Sequence, residues 1–185
     1  MKPVEALLII DVQAGHIEGA GRLPGAGPLM ETLTDLLEKA RANAALVVHV
    51  QNDGPAGKVD EPGTPGWELQ LAAAPTEIVI RKKKADAFDG TDLAGLLTQH
   101  GVRSMAITGV MSEMCVSATA RTALAQGFRV VLPHDAHAST DIPAVAGYEE
   151  LVPAATVSRV AEWALLGNGI ELVQTEVPFI SPHHQ

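Results

Sequence analysis

Cysteine occurs only once in the 185 residues, at Cys115. A lone thiol excludes an intramolecular disulfide framework and a cysteine-ligated structural zinc site. Long apolar runs are missing too: none reaches the roughly 18 residues of a membrane span. Met1–Val12 carries one lysine and a short apolar stretch that Asp11 ends early, with no small-residue cleavage site. It reads as a core strand and not as an export signal. A reducing, cytoplasmic setting is the expectation. Basic charge is scarce, with 13 Lys and Arg against 22 Asp and Glu and a net charge of −9. That balance argues against nucleic acid as a partner and favours solubility. Hydrophobic residues make up 46%, which excludes disorder, and the length suits one domain (1–185, with 176–185 as a tail) that buries its own core.

What is present is an alternation of short β-rich runs and helical patterns. Ala6–Val12, Ala45–Gln51, Ile78–Arg81, Val102–Thr108, Arg129–Pro133 and Ile170–Gln174 read as six strands. Between them, Pro28–Arg41 places Leu29, Leu33, Leu36, Leu37 and Ala40 on one helical face. Asp92–His100 and Cys115–Gln126 read as further helices, each followed by a glycine. A late helix aligns Val157, Val160, Ala161, Ala164 and Leu165. Strands that are apolar throughout are buried on both faces. The expected fold class is therefore α/β, a three-layer α/β/α arrangement around a six-stranded parallel sheet. The longest irregular stretch, Asn52–Pro75, is rich in Gly and Pro and is expected to form a pocket rim, with Trp67 opening a helical turn. Glu176–Gln185, with Pro178 and Pro182, reads as an arm or a disordered end.

In open α/β sheets ligands bind beyond the carboxyl ends of the strands. Asp11 ends the first strand, Lys82 lies just past the third, and Cys115 follows the fourth by one short loop. Ser112 is a fair N-cap, which would put the thiol at a helix N-terminus, where the dipole favours thiolate. An ammonium nearby would favour it further. Asp11 could take the thiol proton and return it to a leaving amine, and backbone N–H groups of the turn could hold an oxyanion. Position alone leaves Cys115 equally readable as a small buried hydrophobe, and Asp11 as a carboxylate that caps nearby backbone. Lys82 belongs to the basic run Arg81–Lys84, usually a solvated edge, and spacing does not choose among Lys82, Lys83 and Lys84.

Other candidates carry less. The run Gly19–Gly25 has the wrong spacing for a dinucleotide fingerprint and contains Pro24, so it reads as a flexible loop. His134 and His137 read as surface hydrogen-bonding groups, with Asp135 orienting backbone near the site. His49 reads as a core histidine, and His183 and His184 as solvated tail residues.

Four segments together resemble the isochorismatase-like cysteine hydrolases over nearly the whole chain. They are Leu8–Gln13; Lys82 followed by Ala87–Leu93; Ile107–Val116 running on through Thr119–Arg121; and Val130–Ala136. The resemblance implies a catalytic triad of Asp11, Lys82 and Cys115, with the spacing to Phe88 selecting Lys82. It implies a cis peptide between Val110 and Met111, and an oxyanion hole from the backbone N–H groups of Met111 and Cys115. It also implies assembly into a homo-oligomer, a dimer or tetramer. Within the family, the run Met111–Arg121, the run Val131–Ala138 and the loop Pro62–Trp67 are most similar to the branch that opens the streptolidine lactam of streptothricin-type antibiotics. The metal-binding members carry an Asp-x-His motif after the second strand. Here the same region reads Gln51-Asn52-Asp53-Gly54-Pro55, so no metal and no cofactor are expected.

The function expected is thus metal-independent hydrolysis of a small-molecule amide through a Cys115 thioester, with neither nucleic acid nor membrane as partner. Gln13, Asp53, Trp67, Asp86 and Glu113 are candidate pocket residues, and the acidic ones would suit a cationic substrate. Two alternatives remain: a related amidase for an N-carbamoyl or nicotinamide-type substrate, and a thiol-bearing interaction or redox protein without turnover.

Overall fold

The computed structural model describes residues 1–147, 150–174 and 176–182. His183 and His184 lie outside them. In chain order the elements are β1 (Ala6–Ile10), α1 (Ala14–Ile17), α2 (Ala26–Ala42), β2 (Leu46–Asn52), β3 (Ile78–Lys82), α3 (Leu93–Gln99), β4 (Ser104–Val110), α4 (Ser117–Ala125), β5 (Arg129–Pro133), β6 (His137–Ala138), α5 (Ala154–Leu166) and β7 (Glu171–Val173). The strands form one sheet in the order β3-β2-β1-β4-β5-β7, and every pairing is parallel. Six of the strands match the six expected. The seventh, β6, is a two-residue strand that pairs with the end of β4, Gly109 opposite His137. Nothing so short leaves an apolar pattern to read.

The apolar runs are buried on both faces, as their continuity requires. Along β1, Ala6, Leu8 and Ile10 join one core cluster with Leu97 of α3 and Ala120 and Ala123 of α4. Leu7 and Ile9 point the other way and join Leu29, Leu33 and Leu36 of α2. One five-residue strand thus binds two helical layers together, and strand alternation alone accounts for it.

Two local expectations are corrected, and for the described part of the tail the arm is chosen over the disordered end. Val160 is exposed; the buried stripe of α5 is Ala154, Val157, Ala161, Glu162 and Leu165. Trp67 closes the turn Pro65–Trp67 instead of opening it. The described part of the tail is ordered by β1's neighbourhood: Val4 donates to the Pro178 carbonyl, Ile180 donates to that of Val4, and Val177 and Phe179 are buried. Two apolar side chains and two backbone bonds outweigh the prolines there. The Gly19–Gly25 loop ends in a left-handed Gly25 that starts α2, with Leu23 buried behind it.

Candidate active site

The chain leaves β1 at Asp11 with a left-handed backbone, φ 54°, which is uncommon for a non-glycine residue. The Asp11 N–H donates to the Val50 carbonyl at 2.8 Å, so the turn is tied to β2. The adjacent strand β4 approaches so closely that a Cβ on Gly109, φ 110°, would collide with the Ile10 backbone. Beyond β4 comes the cis peptide Val110–Met111. The segment Ser112–Val116 then forms a single π-helical turn before α4 begins at Ser117. Cys115 sits in that turn. Ser112 does not cap it: its hydroxyl bonds to His137 Nδ1 at 2.8 Å and to Ser158 Oγ at 2.9 Å.

Three strand ends converge. Lys82, the last residue of β3, has its Nζ 2.7 Å from Asp11 Oδ2, 3.3 Å from Cys115 Sγ and 3.2 Å from Asn52 Oδ1. It is buried, 2% exposed, whereas Lys83 is exposed and Lys84 pairs with Asp89 at the surface. The structure therefore places Lys82 at the site and its neighbours away from it.

Burial pushes the Asp11 carboxyl up to about 6, against the opposing pull of Lys82. Burial also pushes the Cys115 thiol up to about 12, helped by the Asp11 charge and opposed by Lys82. A thiolate stabilised by a helix dipole was the expectation, and it is corrected here. The thiol lies within a π turn and close to a carboxylate, so desolvation and repulsion win. Both shifts favour a thiol that keeps its proton beside a carboxylate that Lys82 holds at 2.7 Å. Asp11 Oδ1 is buried without a well-formed hydrogen bond, and the nearby Cys115 thiol is the group positioned to supply one.

The candidate pocket residues divide. Gln13 is fully buried and spends its amide on backbone: it donates to the Asn52 and Trp67 carbonyls and accepts from the Asn52 N–H at 2.8 Å. It braces the rim and has no donor to spare for a ligand. Asp53 accepts from Trp67 Nε1 at 3.0 Å and from Arg81 Nε at 2.9 Å, while Arg81 lies over the Trp67 ring. Asp86 accepts from the Phe88 N–H and from the Thr122 hydroxyl at 2.6 Å, so it fastens the loop after β3 to α4. Glu113, exposed two residues before Cys115, accepts from Ser139 at 2.6 Å.

Sequence reasoning missed a second buried group. Glu162 of α5 is fully buried against His134, His137 and Arg159, and these partners hold its carboxyl down at about 2 in spite of burial. His137 is buried, which corrects its reading as a surface residue. A signal existed: a glutamate inside an apolar helical stripe, with two histidines after a strand. Asp60 was missed as well; it is buried beside Asn52. His49 is a core histidine as expected, 3.0 Å from Glu77. Among the described residues no three His, Cys, Asp or Glu side chains gather closely enough to hold a metal ion.

One turn presents a cysteine to an Asp–Lys pair carried by β1 and β3, on either side of β2, and comparison with known proteins identifies the family that shares this fold. The isochorismatase domain model matches residues 5–162, and the chain belongs to that family. It is 55% identical to a streptothricin hydrolase of Streptomyces noursei over 183 residues, 97% of this chain and 72% of that protein. It is 52% identical to a second streptothricin hydrolase of the same organism, over 97% of this chain and 66% of that protein. The crystal structure of an isochorismatase from Pseudomonas putida, 29% identical, superposes with a TM-score of 0.86 and covers 95% of this chain and 92% of its own.

Proposed function

We propose that this isochorismatase-family amidohydrolase opens a lactam amide of the streptothricin type, the streptolidine lactam, with Cys115 as nucleophile. The observation that carries the reading is the contact of one buried ammonium, Lys82, with both Asp11 and Cys115. Similarity to the two streptothricin hydrolases supports the choice of substrate.

Asp11, ionised near neutral pH, accepts the thiol proton as Cys115 Sγ attacks the carbonyl carbon. Because the thiol holds its proton far more tightly than Asp11 does, transfer accompanies C–S bond formation and no free thiolate accumulates. Lys82 holds the Asp11 carboxylate in place and offsets the charge that develops on sulfur. The backbone N–H groups of Met111 and Cys115 are assigned to the oxyanion. Asp11 then gives its proton to the departing amine, which leaves a thioester on Cys115. A water deprotonated by Asp11 attacks that thioester, and the carboxylic acid product departs as the thiol is restored. In a lactam both fragments stay joined, so the product is the substrate plus one water. Of the acidic residues offered for a cationic substrate, Asp53 is neutralised by Arg81 and Asp86 is occupied, which leaves Glu113.

No helix of the described residues is long and apolar enough to cross a membrane. A working free thiol suits a cytoplasmic compartment. The chain acts as one domain, and the exposed Val160, Trp163 and Leu166 along α5 favour self-association into a dimer or tetramer.

Mass spectrometry of streptothricin incubated with the protein tests the reading, with Cys115→Ser as control. A gain of one water in the wild type and none in the control is expected. An unchanged antibiotic beside cleavage of another amide in a panel would remove this substrate and keep the nucleophile.

A further inference from the structure

We propose that Asp60, acting through the Asn52 carboxamide, is a positioning residue that fixes Lys82 and sets the balance of charge around Asp11. The inference rests on the Asp11–Lys82–Cys115 reading of the site and assigns a role to two residues outside that triad.

Asn52 ends β2 and stands between Lys82 and Asp60. Its Nδ2 donates to Asp60 Oδ2 at 2.6 Å, and its Oδ1 accepts from Lys82 Nζ at 3.2 Å. An ionised carboxylate only accepts and an ammonium only donates. Asp60 therefore dictates which way the amide faces, and the carbonyl oxygen is left for Lys82. With the amide reversed, NH₂ would meet NH₃⁺, and Lys82 would lose a partner in a site where a buried charge needs one.

Asp60 is itself built into place. It is 7% exposed, although it lies in the irregular stretch after β2. Its carbonyl accepts from the Gly54 N–H at 3.0 Å, and a Cβ on Gly54 would collide with its carboxylate. Gln13 clamps the Asn52 backbone from the other side. A surface loop has no need of a buried carboxylate held by a glycine and an asparagine.

The groups facing Asp11 come from every surrounding element: Lys82 from β3, Cys115 from the turn after β4, and Asp60 from the segment after β2. His16 of α1 lies 3.9 Å from Asp60, and burial lowers its pKa, which keeps it toward neutrality. Lys82 thus meets Asp11 directly and reaches Asp60 through the Asn52 amide. The Asp60 charge adds to burial in raising the Asp11 carboxyl.

The test reads Cys115 directly, so it needs no substrate. As the sole cysteine, Cys115 gives an unambiguous alkylation signal with iodoacetamide by intact-protein mass spectrometry. In the wild type the rate should rise with pH through an inflection near 6, as Asp11 becomes able to take the thiol proton. Asp60→Asn keeps an oxygen to accept from the Asn52 amide and removes only the charge, so it should move that inflection down by a few tenths of a pH unit. Asn52→Ala keeps the Asp60 charge; it should leave the inflection at or above its wild-type position while the plateau rate changes several-fold. Profiles of wild type and Asp60→Asn that superimpose would overturn the proposal. So would a loss of reactivity in Asp60→Asn that follows a fall in melting temperature with no movement of the inflection. If the inflection moves as expected yet no amide is cleaved by the wild type, the positioning role stands and the hydrolase reading fails.

Discussion

Asp11 and Glu162 are both buried carboxylates set against cations, and they are displaced in opposite directions: Asp11 up to about 6, Glu162 down to about 2. Burial raises both. The partners decide the rest. Glu162 has a hydrogen bond on each oxygen, from His134 and from Arg159, with the His137 ring 3.2 Å away. Asp11 has Lys82 on one oxygen and no well-formed bond on the other. A carboxylate whose acceptor sites are all met is a structural anchor. A carboxylate left partly unmet at neutral pH is poised to accept a proton, and in this molecule a thiol is the proton source beside it. The two groups are linked through the backbone they frame, since His137 bonds to Ser112 on the turn that carries Cys115.

Substitution should separate the two most sharply. Asp11→Asn is expected to lower kcat/KM by about 10³-fold or more, since it removes the base in both half-reactions; Cys115→Ser should be at least as severe. Glu162→Gln should do the reverse. It strips the charge that meets His134, His137 and Arg159, but His134 and Arg159 are more than half exposed and water can serve them, so stability should fall by about 1–2 kcal/mol, roughly 2–8 °C in melting temperature for a chain of this size, while kcat of the folded protein stays within a few-fold. Activity assays beside thermal melts check both; a stable but inactive Glu162→Gln would erase the distinction.

The comparison sharpens along pH. The folded value of Glu162 lies below its ordinary 4.5. Its contribution is therefore complete above 4.5 and is lost as pH falls from 4.5 toward 2. The folded value of Asp11 lies above its ordinary 3.8. Folding favours its protonated form, and that contribution is lost as pH rises from 3.8 through 6. Urea midpoints taken from pH 3 to pH 7 should show Glu162→Gln losing less stability in acid than the wild type, and Asp11→Asn losing less between pH 4 and pH 6. The kcat/KM profile of the wild type should share the second window, with an acid limb near pH 6.

This division also marks what was legible in the sequence. A continuous apolar run announces β1, and mostly apolar runs announce β2 and β4, because a strand buried on both faces has few polar positions to spare, and Asp11 stands out by ending such a run. Lys82 was separable from Lys83 and Lys84 only through the family resemblance, because adjacent lysines alternate in direction and spacing does not reveal which direction is inward. The Glu162 cluster escaped because its members lie on the turn after β5, on β6 and on α5, and a two-residue strand has no periodicity. Asp60 escaped because a carboxylate in a Gly- and Pro-rich stretch looks solvated until Gly54 and Asn52 are seen to enclose it. Ser112 has the right residue type for a cap; its hydroxyl is taken by His137 and Ser158 instead, and no local rule anticipates partners 25 and 46 residues away.

The smallest expected effect concerns a carboxylate of a third kind, exposed and next to the nucleophile. Glu113 is held by the Ser139 hydroxyl at 2.6 Å, and among the described residues no cation pairs with it. It differs from Asp53, whose charge Arg81 covers with two hydrogen bonds. An uncovered carboxylate close to Cys115 attracts a cationic substrate, though water screens it, so its contribution is limited to a few-fold. Glu113→Gln should therefore raise KM several-fold for an amine-rich substrate, leave KM for a neutral amide within two-fold, and change kcat for neither. The effect on the cationic substrate should shrink as salt is raised. Equal changes for both substrates would mean that Glu113 shapes the turn through Ser139 and does not read substrate charge.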